Sequence, residues 1–294
     1  MSFFSKKNIF IVVGILLAIS AVLFVVLQKP APAPTTTEPV VTKDLGPKHD
    51  VIGTSVEGRS IEAYTFGAGS TSLMFVGGIH GGYEWNSVLL AYKFMDYLKE
   101  NPDVIPSNLS ISVIPSANPD GVYKVIGKEG RFELADIPST KQPAGNGRLN
   151  AHDVDLNRNF DCKWKPTSTW QSRPVSGGTA AFSEPEARAI RDFVLEHKPA
   201  GVIFWHSQAN TVYASECKNG ILPVTLDIMN AYSKAAGYNA VKSFTAYPIT
   251  GDAEGWLASV GIPAITVELK THETIEWDKN LAGIEALLKY YSQP

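Results

Sequence analysis

Apolar and polar positions change their spacing in blocks along this 294-residue chain, and each block predicts an element. The first block has no periodicity. Ile9 to Leu27 is a run of 19 uncharged, almost wholly apolar residues, close to the ~20 that a bilayer-spanning helix needs. The following "QKPAPAPTTTEPVVTKD" holds Pro and Thr but too little apolar content for a core, so it predicts an extended tether. From residue 48 the pattern becomes globular. "TSLMFVGGI" (71–79), "LSISVIP" (109–115), "AGVIFWH" (200–206) and "IPAITVEL" (262–269) are short runs rich in Val, Ile and Phe, as buried strands are. Between the first two, Trp85, Val88, Leu89, Tyr92, Met95 and Leu98 recur at helical spacing and predict an amphipathic helix over 84–100. "SEPEARAIRDFVLEHKP" predicts another, opened by a capping box from Ser183 to Glu186 and stopped ahead of Pro199. Further helical patterns cover 223–236 and 278–291.

Alternating strands and helices predict an α/β domain: a mixed, mostly parallel twisted sheet with helices on both faces, preceded by one N-terminal transmembrane helix. The expected division is 1–28 as cytoplasmic stub and membrane anchor, 29–47 as tether and 48–294 as the folded domain. Lys6 and Lys7 ahead of the apolar run orient the anchor with its N-terminus inside, so the domain stands outside the cytoplasm on a single-pass chain. Cleavage as a signal peptide is the alternative, although such peptides carry a shorter apolar core.

Charge narrows the partners. With 26 basic and 29 acidic residues the net charge is -3, and no stretch gathers Lys or Arg into a stripe for phosphate backbones, which argues against nucleic acid. Cys162 and Cys217 are the two cysteines; outside the cytoplasm an isolated pair predicts a disulfide, and no CxxC spacing supports a thiolate metal site.

The candidate chemistry sits at strand ends, where open α/β sheets bind their ligands. His80 follows the 71–79 run inside the glycine-rich "FVGGIHGGYEWN", His206 closes "AGVIFWH", and Glu268 lies near the end of "IPAITVEL". A catalytic zinc takes three protein ligands, commonly two histidines and a carboxylate, and keeps a fourth position for water. His80, Glu84 and His206 fit that set. The other histidines, His49, His152, His197 and His272, read as surface or supporting positions.

Six segments, "GGIHGGYEWN", "SANPDGVY", "RLNAHDVDLNRNF", "SGGTAAFSEPEARAI", "FWHSQ" and "ITVEL", resemble in order the signature segments of the zinc metallocarboxypeptidases of the carboxypeptidase A/B type, from Gly77 to Leu269. The resemblance implies one Zn2+ per chain held by His80, Glu84 and His206. The family's first metal motif is HxxE whereas this chain reads HxxxE, so an added glycine is expected to bulge. It further implies Glu268 as catalytic carboxylate, Arg148 (with Arg131 as substitute) polarising the scissile carbonyl, and Asn157 with Arg158 gripping the substrate's terminal carboxylate. Tyr247 corresponds to a substrate-binding tyrosine on a loop. Asp252 and Glu254, in "TAYPITGDAEGWLAS", are expected to line the pocket for the terminal side chain and to favour basic residues.

The function so implied is that of a membrane-anchored, bacterial-type, monomeric exopeptidase acting on peptides with a free C-terminal carboxylate, including cell-wall stem peptides. Two alternatives are a zinc deacylase of N-acyl amino acids, resembling desuccinylases and aspartoacylases, and a relative that binds peptide or glycan without turnover.

Overall fold

The computed structural model describes residues 47–139 and 144–293. The expected anchor, and the tether up to residue 46, lie outside the described residues, among which no helix is long and apolar enough to cross a membrane. The described chain opens with strands β1 (Lys48–Thr54), β2 (Ser60–Gly67) and β3 (Thr71–Val76), helix α1 (Trp85–Glu100), β4 (Leu109–Ile114) and the short helix α2 (Pro119–Ile126). A two-stranded ribbon follows, β5 (Thr167–Trp170) with β6 (Arg173–Ser176), then α3 (Pro185–His197), β7 (Gly201–Ser207), β8 (Thr211–Ala214) and α4 (Pro223–Ala236). The last elements are β9 (Asn239–Val241), α5 (Ala253–Ser259), β10 (Ala264–Leu269) and α6 (Trp277–Tyr291).

Eight strands form one mixed sheet in the order β1-β2-β4-β3-β7-β10-β8-β9. Its middle strands β4, β3, β7 and β10 are mutually parallel, and β2 and β8 flank them antiparallel. All seven residues of β7 are buried. A parallel strand covered on both faces has no polar side to show, which is why the four middle strands read as continuous apolar runs. Side chains alternate across the sheet. Leu73 and Phe75 of β3 pack with Trp205, Phe94, Ile228 and Leu287 under α1, α4 and α6, whereas Met74 and Val76 pack with Phe204, Ile190, Val194 and Leu257 under α3 and α5.

The structure differs from expectation at the start of α3. Ser183 does not cap that helix: Glu184 occupies the cap position without a side-chain bond, and the Ser183 hydroxyl donates to Glu184 Oε1 at 2.8 Å. Glu186 instead accepts from the Val56 amide and from Asn150, at 3.1 Å each. Pro185 at the first helical position removes one orphan donor by itself. The two glutamates are thereby free to tie the helix start to the β1–β2 turn and to the loop that carries Asn150.

Cys162 and Cys217 are joined, with Cα atoms 6.0 Å apart and 55 residues of separation. The bridge fastens the loop just after Arg158 to the chain leaving β8. The same loop pairs through its backbone with residue 251, Phe160 N donating to Gly251 O at 2.8 Å and Gly251 N to Cys162 O at 2.7 Å. Closing a loop of this length is worth about 4 kcal/mol by chain entropy. We expect the double variant Cys162→Ser, Cys217→Ser to lose ~2–4 kcal/mol of unfolding free energy in urea titrations.

Candidate active site

Three neighbouring parallel strands, β3, β7 and β10, end on the same edge of the sheet. Glu268 is the register partner of His206, so the two side chains emerge together, and His80 arrives four residues beyond the end of β3. The glycines between His80 and Glu84 have a local cause. Gly81 holds φ at +47°, and a Cβ there would lie 2.5 Å from Gly147 O and 2.8 Å from the Gly121 Cα. Only glycine allows the metal loop to pass so close to α2 and to the backbone before Arg148. The residue added to the motif is absorbed in a tight 3-10 turn, Gly81–Glu84, that returns the carboxylate to the imidazole.

The result is a buried cluster of three donors. Glu84 Oε1 lies 2.8 Å from His80 Nδ1, Glu84 Oε2 lies 3.1 Å from His206 Nδ1, and the two Nδ1 atoms are 3.2 Å apart. The far nitrogen of His206 faces Glu254 Oε1 at 3.0 Å; an ionised carboxylate only accepts, so Nε2 carries a proton and Nδ1 is the nitrogen that can give its lone pair to a metal. His80 Nε2 likewise approaches Asp155 Oδ1 at 3.5 Å. Two imidazole lone pairs and a carboxylate thus converge on one point, with ligand atoms all within 4.8 Å. Two nitrogens with one carboxylate suit Zn2+; without a metal the rings hold protons for the carboxylate instead, and despite its burial His206 is held well above its ordinary range by Glu84 and Glu254.

The surroundings are strongly polarised. The two imidazoles outweigh the cost of burial and pull the Glu84 carboxyl below its ordinary range. Asp155 is held well below its range by Arg148 and Arg158 despite its burial. Arg148 gives both Nε (3.0 Å) and Nη2 (2.9 Å) to Asp155 Oδ2, and its Nη1, without a hydrogen bond among the described residues, pairs loosely with Glu84 Oε1 at 3.8 Å. Its guanidinium lies over the Trp170 ring at 4.5 Å. Burial, opposed by His206 and reinforced by Glu84 and Glu254, pushes Glu268 up to about 7, and Glu268 Oε2 is buried without a hydrogen-bond partner among the described residues.

These groups line a cavity of about 730 Å3. Arg158 also lines it, clamped by its own neighbours: Nη1 donates to Asn157 O at 2.6 Å and Nη2 to Thr169 O at 3.0 Å. Asn157 spends Oδ1 on the amide of Ala253 at 2.8 Å, keeping its NH2 as the donor for a ligand. Asp252 caps α5 through Oδ2, which accepts from Gly255 N at 2.7 Å; burial and the neighbouring Glu254 push it up to about 6. Tyr247 lines the cavity too, edge-on to Phe244 with ring centres 4.8 Å apart.

The expected residues do not all take the expected parts. Glu254 reaches the cavity lining, but its Oε1 accepts from both His206 Nε2 and Thr266 Oγ1 (3.1 Å), so it serves the ligand histidine rather than standing free for a substrate. Arg131, the substitute for Arg148, forms an exposed pair with Asp96 away from the cavity. His49 pairs with Glu62, His152 with Glu184, and His197 with Phe193 O. Asp155, Tyr83 and Trp170 were not singled out in the sequence. Asp155 had a local signal, an acidic residue at a turn start two positions before Asn157; Trp170 had none, because only the β5–β6 ribbon brings it over Arg148.

The family model described as zinc carboxypeptidase (peptidase M14) matches residues 48–281. Among curated proteins, a gamma-D-glutamyl-L-diamino acid endopeptidase 1 of Lysinibacillus sphaericus is 26% identical over 238 residues, which is 74% of this chain and 59% of that protein. A carboxypeptidase B of Helicoverpa zea is 28% identical over 247 residues, 73% of this chain and 56% of that protein. The chain therefore spans between half and two thirds of the length of these two relatives. Among solved structures, a murein-tripeptide amidase from Escherichia coli O157 superposes with a TM-score of 0.59 at 21% identity, over 84% of this chain and 93% of that one.

A carboxylate that orients a ligand histidine is commonly worth 10–100-fold in metal affinity. We expect Glu254→Gln, which keeps shape and an acceptor oxygen, to weaken Zn2+ retention by ~10-fold in chelator competition, with an unchanged far-UV spectrum.

Proposed function

The chain belongs to the zinc carboxypeptidase family, and on that premise we propose that it is a zinc-dependent exopeptidase that removes the last residue of a peptide, preferring a terminal side chain with a cationic amino group. The observation that carries the reading is the convergence, in one cavity, of the His80–Glu84–His206 cluster with an unpartnered Glu268 oxygen on one side and the Asn157–Arg158 pair on the other. Zn2+ bound by the cluster supplies a Lewis acid and a water of lowered pKa.

The rest of the chemistry belongs to the chain's own groups. Water adds across the terminal amide, so one proton must leave the nucleophile and one must reach the departing nitrogen. A carboxyl near pH 7 is poised for both transfers, and Glu268 serves as base and then as acid. Nη1 of Arg148, the nitrogen that Asp155 does not take, faces the charge that develops on the carbonyl oxygen. Arg158 and the Asn157 amide hold the terminal carboxylate; a planar guanidinium meets both oxygens where an ammonium would act as a point charge. That grip sets the last peptide bond beside His80, Glu84 and His206, the residues that would hold the metal, and confines cleavage to chain ends.

Asp252 supports the side-chain preference. It stands beside Arg158 on the cavity wall, and a carboxylate there favours an ammonium. The relative named for a gamma-D-glutamyl-L-diamino acid bond accords with this, since a diamino acid carries such a group. Stem peptides of a cell wall are the substrate class we favour. The apolar run Ile9 to Leu27, with Lys6 and Lys7 before it, supports an activity displayed outside the cytoplasm on an anchored chain.

A panel of peptides ending in Lys, diaminopimelate, Phe or Glu, digested with and without chelator and read by mass spectrometry, tests the proposal. Release of single C-terminal residues that stops with chelator supports it; cleavage of N-acyl amino acids alone would sink it. Glu268→Gln is expected to lower kcat by ~10³-fold with little change in KM.

The side-chain preference has its own pH signature. A carboxyl with its pKa raised to about 6 is ionised above that value, so the advantage of a Lys-ending over a Phe-ending peptide is present at pH 7.5 and falls as pH drops through 6. Asp252→Asn should cut kcat/KM for the Lys-ending peptide by ~10-fold and leave the ratio flat with pH.

A further inference from the structure

One buried chain of hydrogen bonds at the cavity edge plays no part in the reaction above. Asn86 Nδ2 donates to two backbone carbonyls, Thr271 O at 2.7 Å and Thr274 O at 3.0 Å. Those two bonds fix which end of the amide is oxygen. Asn86 Oδ1 is therefore an acceptor, and it takes the hydroxyl proton of Ser207 at 3.0 Å. A serine has one proton to give. Its oxygen, 2.7 Å from His272 Nδ1, must then accept from that nitrogen, so the His272 proton sits on Nδ1 and the lone pair of the neutral ring sits on Nε2.

The place of that ring is equally defined. His272 lines the cavity, four residues beyond Glu268, and its ring centre lies 4.5 Å from Tyr83. Tyr83 in turn packs on Trp170 at 5.3 Å, and both rings flank the Arg148 guanidinium. Through Tyr83 the ring stands on the Arg148 side of the cavity, and in the exopeptidase reading Arg148 faces the scissile carbonyl, so the acyl half of the substrate runs past His272. Burial lowers its pKa and keeps the ring neutral at neutral pH.

We propose that His272 is a substrate-binding residue whose Nε2 accepts a hydrogen bond from the backbone N–H of the penultimate residue, the one that donates the scissile carbonyl. The proposal rests on the exopeptidase reading for the orientation of the substrate. It assigns the Asn86–Ser207 pair a purpose: they hold the ring in the tautomer whose acceptor is Nε2. A substrate lacking that N–H leaves the lone pair unmatched.

The test compares benzoyl-glycyl-lysine with benzoyl-sarcosyl-lysine, in which the penultimate N–H is replaced by N–CH3. His272→Ala should lower kcat/KM for the first peptide by ~10-fold, mainly through KM, and His272→Gln, which restores an acceptor near the Nε2 position, should recover most of the loss. For the N-methyl peptide, wild type and both variants should agree within about 2-fold. Equal losses on both peptides, or none on the first, overturn the proposal. Calorimetric binding of the same two peptides to the zinc-loaded Glu268→Gln protein, with and without His272→Ala, reads the contact without turnover. N–H selectivity that vanishes with His272→Ala sustains the inference even if wild type hydrolyses neither peptide, an outcome that would defeat the exopeptidase reading alone. Hydrolysis by wild type with selectivity untouched by the substitution does the reverse.

Discussion

Two imidazole lone pairs and a carboxylate meeting within 4.8 Å, out of water, form the constraint around which the rest of this structure is arranged. Gathered out of water they forfeit their hydration, a cost that a metal ion, or protons on the rings, must offset. Each neighbouring feature answers part of that demand. Glu254 takes the outward nitrogen of His206 and Asp155 stands 3.5 Å from that of His80, which turns the inward nitrogens towards the metal position. Gly81 lets the loop between the first histidine and Glu84 fold back on itself in a space where no side chain fits.

The charge around the cluster is unbalanced in a useful direction. Glu84, Asp155, Glu254 and Glu268 outnumber the guanidiniums of Arg148 and Arg158. The excess negative charge is what a divalent ion neutralises. It also separates the carboxyls by function: Glu84 and Asp155, facing cationic partners, stay ionised, whereas Glu268, buried beside other carboxylates, is raised to about 7. Groups of one chemical type thereby acquire different work from their surroundings alone. Helix α5 ties this cluster to the Asn157 side of the cavity, since its start carries Asp252, the Ala253 amide that donates to Asn157, and Glu254.

Much of this was legible in the chain. The four middle strands stood out because burial on both faces leaves unbroken apolar runs, and α1, α4 and α6 because one apolar stripe recurs at helical spacing. The half-exposed strands β1 and β2, the three-residue β9 and the seven-residue α5 were not, since short or partly wet elements carry too few apolar positions to show a period. At α3 the local capping rule predicted Ser183 and Glu186, yet partners distant in sequence, Asn150 and Val56, took Glu186 instead.

By itself the sequence determined which residues could serve: the two histidines at strand ends, a glutamate inside an apolar strand, and an asparagine and arginine side by side, because their chemical types and their positions at the ends of apolar runs are local properties. Tertiary structure alone decided how those groups are spent. That Glu254 serves His206, that Asp155 holds Arg148, that Trp170 covers it and that His272 carries its proton on Nδ1 all depend on contacts between residues distant along the chain. Hydrogen bonds and charge pairing act over a few ångströms of space, and no pattern along a chain records which segments will meet there.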